Sequence, residues 1–144
     1  MIQTIASILD KKGHTIYSVP PYALVSDAIA IMAKHLIAAV LVLRDGELIG
    51  IISAKDYATK VIHERNASRA SSVQEIMTSP VVTVDLKGSV SECMAIMTRY
   101  RIRHLPVFDQ GKLVGVVSMG DLVCAVIADQ AFQIEQLTTS MGPK

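Results

Sequence analysis

Gly50-Ile51-Ile52-Ser53-Ala54-Lys55-Asp56 is the stretch on which the reading of this chain turns, because Gly115-Val116-Val117-Ser118-Met119-Gly120-Asp121 repeats its pattern 65 residues later. In each copy a glycine and two aliphatic residues lead to a serine, with an aspartate three places on. The match runs outward without a gap. Residues 16–62 lie over 81–127 with 15 of 47 positions identical, and several of the others exchange one aliphatic side chain for another. A fixed offset of this size marks one supersecondary unit made twice. So small a unit cannot bury a full core alone, so the two copies are expected to pack on each other.

The elements around the two strings follow the same order. Residues 1–12 read as a short amphipathic helix with Ile5, Ile8 and Leu9 on one side. A short strand is predicted at 16–19. Val25, Ala28, Ile29, Met32 and Leu36 fall at helical spacing, which predicts a helix over 25–36. An apolar strand at 38–43, a turn at Asp45-Gly46 and a return at 48–52 make a hairpin. Ser53 then opens a helix running to about Arg65. Asn66 to Ser72 is polar and serine-rich and reads as a linker. The second half repeats this with strands at 81–84, 105–108 and 112–117, a helix marked by Val90, Cys93, Met94 and Met97, and a final helix from Met119 through Ile127, Phe132 and Leu137. The uninterrupted apolar strands suggest sheets covered on both faces. The extra ends, 1–12 and 128–140, have no counterpart in the other repeat, and either packing on their own chain or a subunit contact accounts for them.

The repeated string has readable chemistry. A strand delivers the chain to a helix start, where N–H groups without partners and the positive end of the helix dipole attract an anion. A serine hydroxyl there can donate to a phosphate, and an aspartate one turn on can accept from a ribose hydroxyl. The aliphatic residues before the serine offer a dry wall for a base. The plain alternative is a capping box, in which the two side chains satisfy the helix's own N–H groups. Duplication copies caps as faithfully as sites, so both readings stand.

Composition narrows the classes. Net charge is +1 with scattered Lys and Arg, and no basic run points to nucleic acid. Half the chain is hydrophobic, 51%, with no tryptophan, so the core is aliphatic. The two cysteines, Cys93 and Cys124, lie in apolar helical patterns and read as reduced core residues. The start shows no signal-peptide pattern and no 18-residue apolar span exists, so the cytoplasm is the default expectation and no membrane partner is expected. His14, His35, His63 and His104 show no metal-ligand spacing.

The β-α-β-β-α duplication, the two Gly-aliphatic-aliphatic-Ser-x-x-Asp strings, Glu75-Ile76-Met77-Thr78 and Arg103-His104-Leu105-Pro106-Val107 together resemble a tandem pair of cystathionine-β-synthase (CBS) domains, a Bateman module. The resemblance covers residues 14–127. It implies an α/β (α+β) fold of two pseudo-symmetric repeats packed together, with extra terminal helices. The boundaries it suggests are 1–65 for the N-terminal helix and first repeat, 66–78 for the linker, 79–127 for the second repeat and 128–144 for a helical extension and tail. It also implies two clefts for adenosine-containing ligands. One would use Ser53, Lys55, Asp56, Pro80, Val82, Ile102, Arg103 and His104. The other would use Ser118 and Asp121 with Thr15, Tyr17, Ile37, Ala38 and Ala39. The first gathers Lys55 and Arg103. The second has Gly120 and Ala38-Ala39 at the matching places, so the first is expected to bind a phosphorylated adenosine more tightly.

The function this implies is a non-catalytic regulatory module. It would bind an adenine nucleotide, AMP first and otherwise ADP, ATP, NAD(H) or S-adenosylmethionine, and signal to an unidentified regulated protein as a homodimer. Two other readings remain open: a dimeric interaction protein whose Ser-x-x-Asp strings are only caps, and a nucleotide hydrolase with His104 as base.

Overall fold

The computed structural model describes residues 2–65 and 67–141. Residues 1, 66 and 142–144, which the expected N-terminal helix, linker and tail include, lie outside the described residues. Its elements, in chain order, are α1 (Ile5–Lys12), β1 (Ser18–Val19), α2 (Val25–His35), β2 (Ala39–Arg44), β3 (Glu47–Ser53), α3 (Ala54–Asp56, continued by a π-helical segment Tyr57–His63), a 3-10 turn (Val73–Glu75), β4 (Val84–Asp85), α4 (Val90–Tyr100), β5 (His104–Asp109), β6 (Lys112–Ser118) and α5 (Met119–Met141). The chain divides into two compact units. One is Ile16–Val81, and the other joins the segment up to Thr15 to everything from Val82 onward.

In the Ile16–Val81 unit β1 pairs parallel with β2, and β2 pairs antiparallel with β3, in the order β1-β2-β3. The hairpin turn is tight because Asp45 and Gly46 both take positive φ, 51° and 81°. Strand β1 begins two residues later than expected and ends at Val19 as expected, where Pro20 has no N–H to continue the ladder. The core holds Val25, Ala28 and Met32 from α2, Val40 and Val42 from β2 and Ile52 from β3. Val73 and Ile76 complete it, so the end of the stretch read as linker contributes core residues. Its earlier part is bonded to the start of α2, where Val25 and Ser26 N–H groups donate to the carbonyls of Ser71 and Arg69.

The second unit repeats the plan at the same offset. β4 pairs parallel with β5, β5 antiparallel with β6, and each hairpin breaks register at the equivalent place, Val42/Leu43 and Val107/Phe108. Helices α2 and α4 both end in a left-handed residue that is not glycine, Leu36 at φ 54° and Arg101 at φ 56°. Here α1 enters the core. Ile5, Ile8 and Leu9 are buried with Cys93, Met97, Leu105, Val107, Val117, Leu122 and Ala125. The N-terminal helix therefore packs on its own chain. Helix α5 is anchored by Leu122 and Ala125, and Asp129 accepts the Gln3 N–H at 2.9 and 3.0 Å. Its later turns expose Ile127, Phe132, Ile134 and Leu137.

Two expectations are corrected. The helix after Ser53 is wound as a π-helix over Tyr57–His63, and this winding accompanies Lys60 turning back to Asp56 and to the Ile76 carbonyl. Cys124 is exposed, because the core-facing stripe of α5 runs through Leu122 and Ala125 and leaves it on the outer side.

Candidate functional site

Each repeated string ends a β-strand and starts a helix. Ser53 is extended, with φ −118° and ψ 164°, and caps α3. Its hydroxyl donates to Asp56 Oδ2 at 3.0 Å and accepts the Asp56 N–H at 3.1 Å, while its own N–H donates to Asp56 Oδ2 at 2.9 Å. The other carboxylate oxygen, Oδ1, accepts the Thr78 hydroxyl at 3.2 Å and lies 3.3 Å from Lys60 Nζ. Thr78 is itself fixed by a two-way backbone pairing with Ile51, at 2.8 and 3.1 Å. Asp56 is thus buried, 9% exposed, with neutral donors on both oxygens and one lysine close by.

The glycine that opens the string has a packing reason. A Cβ at Gly50 would lie 2.2 Å from Met77 Sδ, and one at Gly115 would lie 2.9 Å from Leu9 Cδ2. In both units the segment ahead of a repeat presses on the hairpin at this point. Ser79 then donates to the Ile49 carbonyl at 2.9 Å, and His14 Nδ1 donates to the equivalent Val114 carbonyl at 2.8 Å. Since a carbonyl only accepts, that His14 nitrogen carries the proton.

The second turn has the same box. The Ser118 N–H donates to Asp121 Oδ2 at 2.8 Å, and the Asp121 N–H donates to Ser118 Oγ at 3.1 Å. Its further partner is different. Lys12, the last residue of α1, donates to Asp121 Oδ2 at 2.5 Å and to the Val116 carbonyl at 2.8 Å. Burial alone would raise the Asp121 pKa, but the hydrogen bonds from Lys12 and Ser118 and the lysine's charge outweigh it and hold the carboxyl below the usual aspartate range. The His104 pKa is lowered as well: burial, then the charges of Lys12 and Arg103, outweigh the pull of Asp121 and favour the neutral imidazole. Charge counting from the sequence left the second turn without a cation; the structure corrects this, because Lys12 arrives from the far end of the chain.

The other predicted residues fall as follows. In the Ile16–Val81 unit the Ala54 N–H donates to the Ala38 carbonyl at 2.9 Å, and Ala39 is the cross-strand partner of Ser53. Ile37 packs against the core, and Lys55 and Pro80 are exposed. The Tyr17 carbonyl accepts the Leu41 N–H, and its ring stacks on His35 with centroids 4.2 Å apart. In the second unit the Met119 N–H donates to the Arg103 carbonyl at 2.9 Å, and His104 is the cross-strand partner of Ser118. Val82 and Ile102 pack against the core, and Thr15 is exposed. Within its own unit each serine therefore sits beside the strand start of its own hairpin. The grouping of Arg103 and His104 with Ser53, and of Ala38 and Ala39 with Ser118, belongs to the proposal below. Three partners escaped the sequence reading: Thr78, Lys60 and Lys12. Lys60 was within reach, standing four residues after Asp56 where helical neighbours meet.

A family model described as CBS domain matches residues 7–63 and again 73–128. The chain belongs to the CBS-domain family. It is 36% identical over 118 residues to the CBS domain-containing protein CBSX3, mitochondrial, of Arabidopsis thaliana, covering 78% of this chain and 57% of that protein. The chain thus spans little more than half the length of this relative. Among solved structures it resembles a protein with CBS domains from Burkholderia ambifaria MC40-6, with a TM-score of 0.84, 48% identity, and 89% and 96% of the two chains covered. The same CBS fold is seen in CBSX2 in complex with AMP, at a TM-score of 0.66 and 22% identity over 81% of this chain and 90% of that one. Among the described residues no helix is long and apolar enough to cross a membrane.

Proposed function

We propose that this CBS pair is a regulatory module that binds an adenosine-containing nucleotide through its two Ser-x-x-Asp turns and passes the occupied state to a partner protein. The observation that carries the reading is the pair of equivalent helix starts, each holding a serine and an aspartate at the end of the strand that follows a close-packed glycine. CBSX2 carries AMP on the same fold, and that likeness, one of fold, is what brings AMP to this chain. In the proposal Asp56 and Asp121 accept ribose hydroxyls, Ser53 and Ser118 donate to phosphate, and Lys55, Arg103 and His104 contribute polar contacts, with the remaining residues of the two sets lining the base and sugar. No turnover is part of it. A second copy of the chain is the expected assembly partner, supported by the apolar Ile127, Phe132, Ile134 and Leu137 that α5 exposes. A cytoplasmic location belongs to the same proposal.

A thermal-shift panel of AMP, ADP, ATP, NAD(H) and S-adenosylmethionine tests it. A ligand at 100 times its dissociation constant stabilises the folded state by about 2.7 kcal/mol, a readily measured shift. Asp56→Ala and Asp121→Ala then assign the turns, each expected to weaken its own site roughly 10- to 150-fold as a charge-assisted hydrogen bond is lost. A melting temperature unmoved by every ligand refutes the proposal.

One observation favours a second reading. Both carboxylates already have internal partners, as in a plain capping box, and a dimeric interaction protein without a ligand would need nothing more.

A further inference from the structure

We propose that Lys12 is a charge-selecting latch on the second turn: it holds the Asp121 carboxylate in the ligand-free protein and turns its ammonium to a ligand's phosphate when ribose hydroxyls take that carboxylate. This rests on the reading that the turns bind an adenosine nucleotide, and it names which such ligands the second turn accepts.

The two turns share the Ser-Asp box and differ in the further partners of the carboxylate, the first also having Lys60 3.3 Å from Asp56 Oδ1. At the first, Thr78 supplies one bond to Asp56 from its hydroxyl and one to the Ile51 carbonyl from its N–H. At the second, the same two acceptors, Asp121 and the Val116 carbonyl, are both taken by the Lys12 ammonium. Ile51 and Val116 are equivalent positions of the repeat, so Lys12 does with one charged group what Thr78 does with a neutral hydroxyl and its backbone. The difference matters for exchange. Thr78 is tied to β3 by a two-way backbone pairing and cannot leave without breaking it. Lys12 is held only through its side-chain end.

The surroundings let that end move while the helix stays. Leu9, one turn earlier, is fully buried against Gly115 and fixes α1 on β6. Gly13 follows Lys12 at φ 106°, with no atom within 4 Å of where its Cβ would be. The Lys12 and Asp121 side chains are 38% and 23% exposed, so the pair is open to solvent and to a ligand. An ion pair this exposed holds weakly. The lysine stem is flexible, and its ammonium has three donors that can re-aim.

Displacing the ammonium from Asp121 leaves it seeking an anion. AMP supplies one; adenosine does not. The second turn should therefore prefer the phosphorylated ligand, and Lys12 should be the residue that sets the preference.

The test uses the whole chain, with titrations of AMP and of adenosine followed at the Gly120 amide by NMR, so that the second turn alone is read. In Lys12→Met the ratio of AMP to adenosine affinity should fall by about tenfold or more, the scale of one charge-assisted hydrogen bond. Lys12→Arg should keep the ratio within about threefold, since it retains the charge. AMP bound at Gly120 with an unchanged ratio in Lys12→Met overturns the latch and leaves the nucleotide reading standing. AMP bound by the protein without any response at Gly120 does the same. No binding of any adenosine ligand by the wild-type chain overturns both.

Discussion

Adding one methyl group at Gly115 should destabilise the protein, and the structure says by how much and through which neighbour. The backbone there is not in the left-handed region, so alanine is conformationally allowed, and in open space it would stabilise by about 0.4–1 kcal/mol. The space is not open. The new Cβ would stand 2.9 and 3.0 Å from the two terminal carbons of Leu9, where relaxed carbon–carbon contacts are about 3.5–4.0 Å. Leu9 is 0% exposed and wedged among Ile5, Ile8 and the β-strand core, so it has nowhere to go. Overpacking of this kind costs about 1–3 kcal/mol. Gly50→Ala makes the informative comparison. Its Cβ would come closer, 2.2 Å from Met77 Sδ, but Met77 is half-buried and its unbranched chain can swing aside. Urea unfolding followed by circular dichroism should therefore rank Gly115→Ala as the more damaging of the two, despite its longer contact. The Leu9→Ala, Gly115→Ala double variant should be less unstable than the sum of its parts, by about 0.5–3 kcal/mol, because the new methyl enters the space Leu9 leaves. A neutral Gly115→Ala, or strict additivity with Leu9→Ala, would refute the packing argument.

Ser53→Ala removes a cap that both donates to and accepts from Asp56, and should lower stability by about 0.5–2 kcal/mol in the same urea assay. A thiol reagent on the native protein should modify Cys124 quickly and leave Cys93 protected until unfolding, since Cys93 is fully buried and burial, then Glu92, raises its pKa. Because Asp121 titrates below the ordinary aspartate value of about 3.9, its contribution is fully present above that pH and is lost as pH falls through the lowered folded value. Lys12→Met removes the largest lowering influence and leaves burial opposed only by the Ser118 hydrogen bonds, so its acid-unfolding midpoint should move to higher pH. His104, held neutral by burial, should make stability decline as pH drops below about 6.5, where the unfolded chain takes the proton first, and His104→Asn should flatten that slope.

What could be read in the chain is what the repeat carries. Periodicity located α2 and α4 because Val25, Ala28 and Met32, and later Cys93 and Met97, fall on single buried faces. The hairpins were legible in Asp45-Gly46 and Gln110-Gly111, where the turn needs positive φ at both residues. The left-handed ends of α2 and α4 were not, since leucine and arginine give no sign of that conformation and only the tertiary fold imposes it. Cys124 looked buried because its neighbours are apolar, yet Leu122 and Ala125 lie on one face of the helix and Val123 and Ile127 on another, and only the first pair faces the core. Gly50 and Gly115 were visible as invariant letters of the string. Their reason was invisible, because Met77 and Leu9 reach them from segments outside it. Lys12 stands 109 residues from Asp121, and no local pattern joins them.

The Ser-x-x-acid pattern alone decides nothing, and the chain contains its own control. Ser72 and Glu75 form the same box, with the Ser72 N–H and hydroxyl donating to Glu75 Oε2 at 2.7 and 3.2 Å. That box caps a 3-10 turn on the surface and follows no close-packed glycine. What sets Asp56 and Asp121 apart is that each carboxylate takes a partner from outside the duplicated stretch, Asp56 having Lys60 from inside it close by as well. Thr78 lies just ahead of the second copy and Lys12 just ahead of the first. Gly13, at the position equivalent to Thr78, has no side chain to offer, so the bond to Asp121 passes to its neighbour Lys12. The repeat thus supplies two equal frames, and the segments leading into them make the frames chemically different. Exchanging the lead-in residues should therefore move charge preference from one turn to the other.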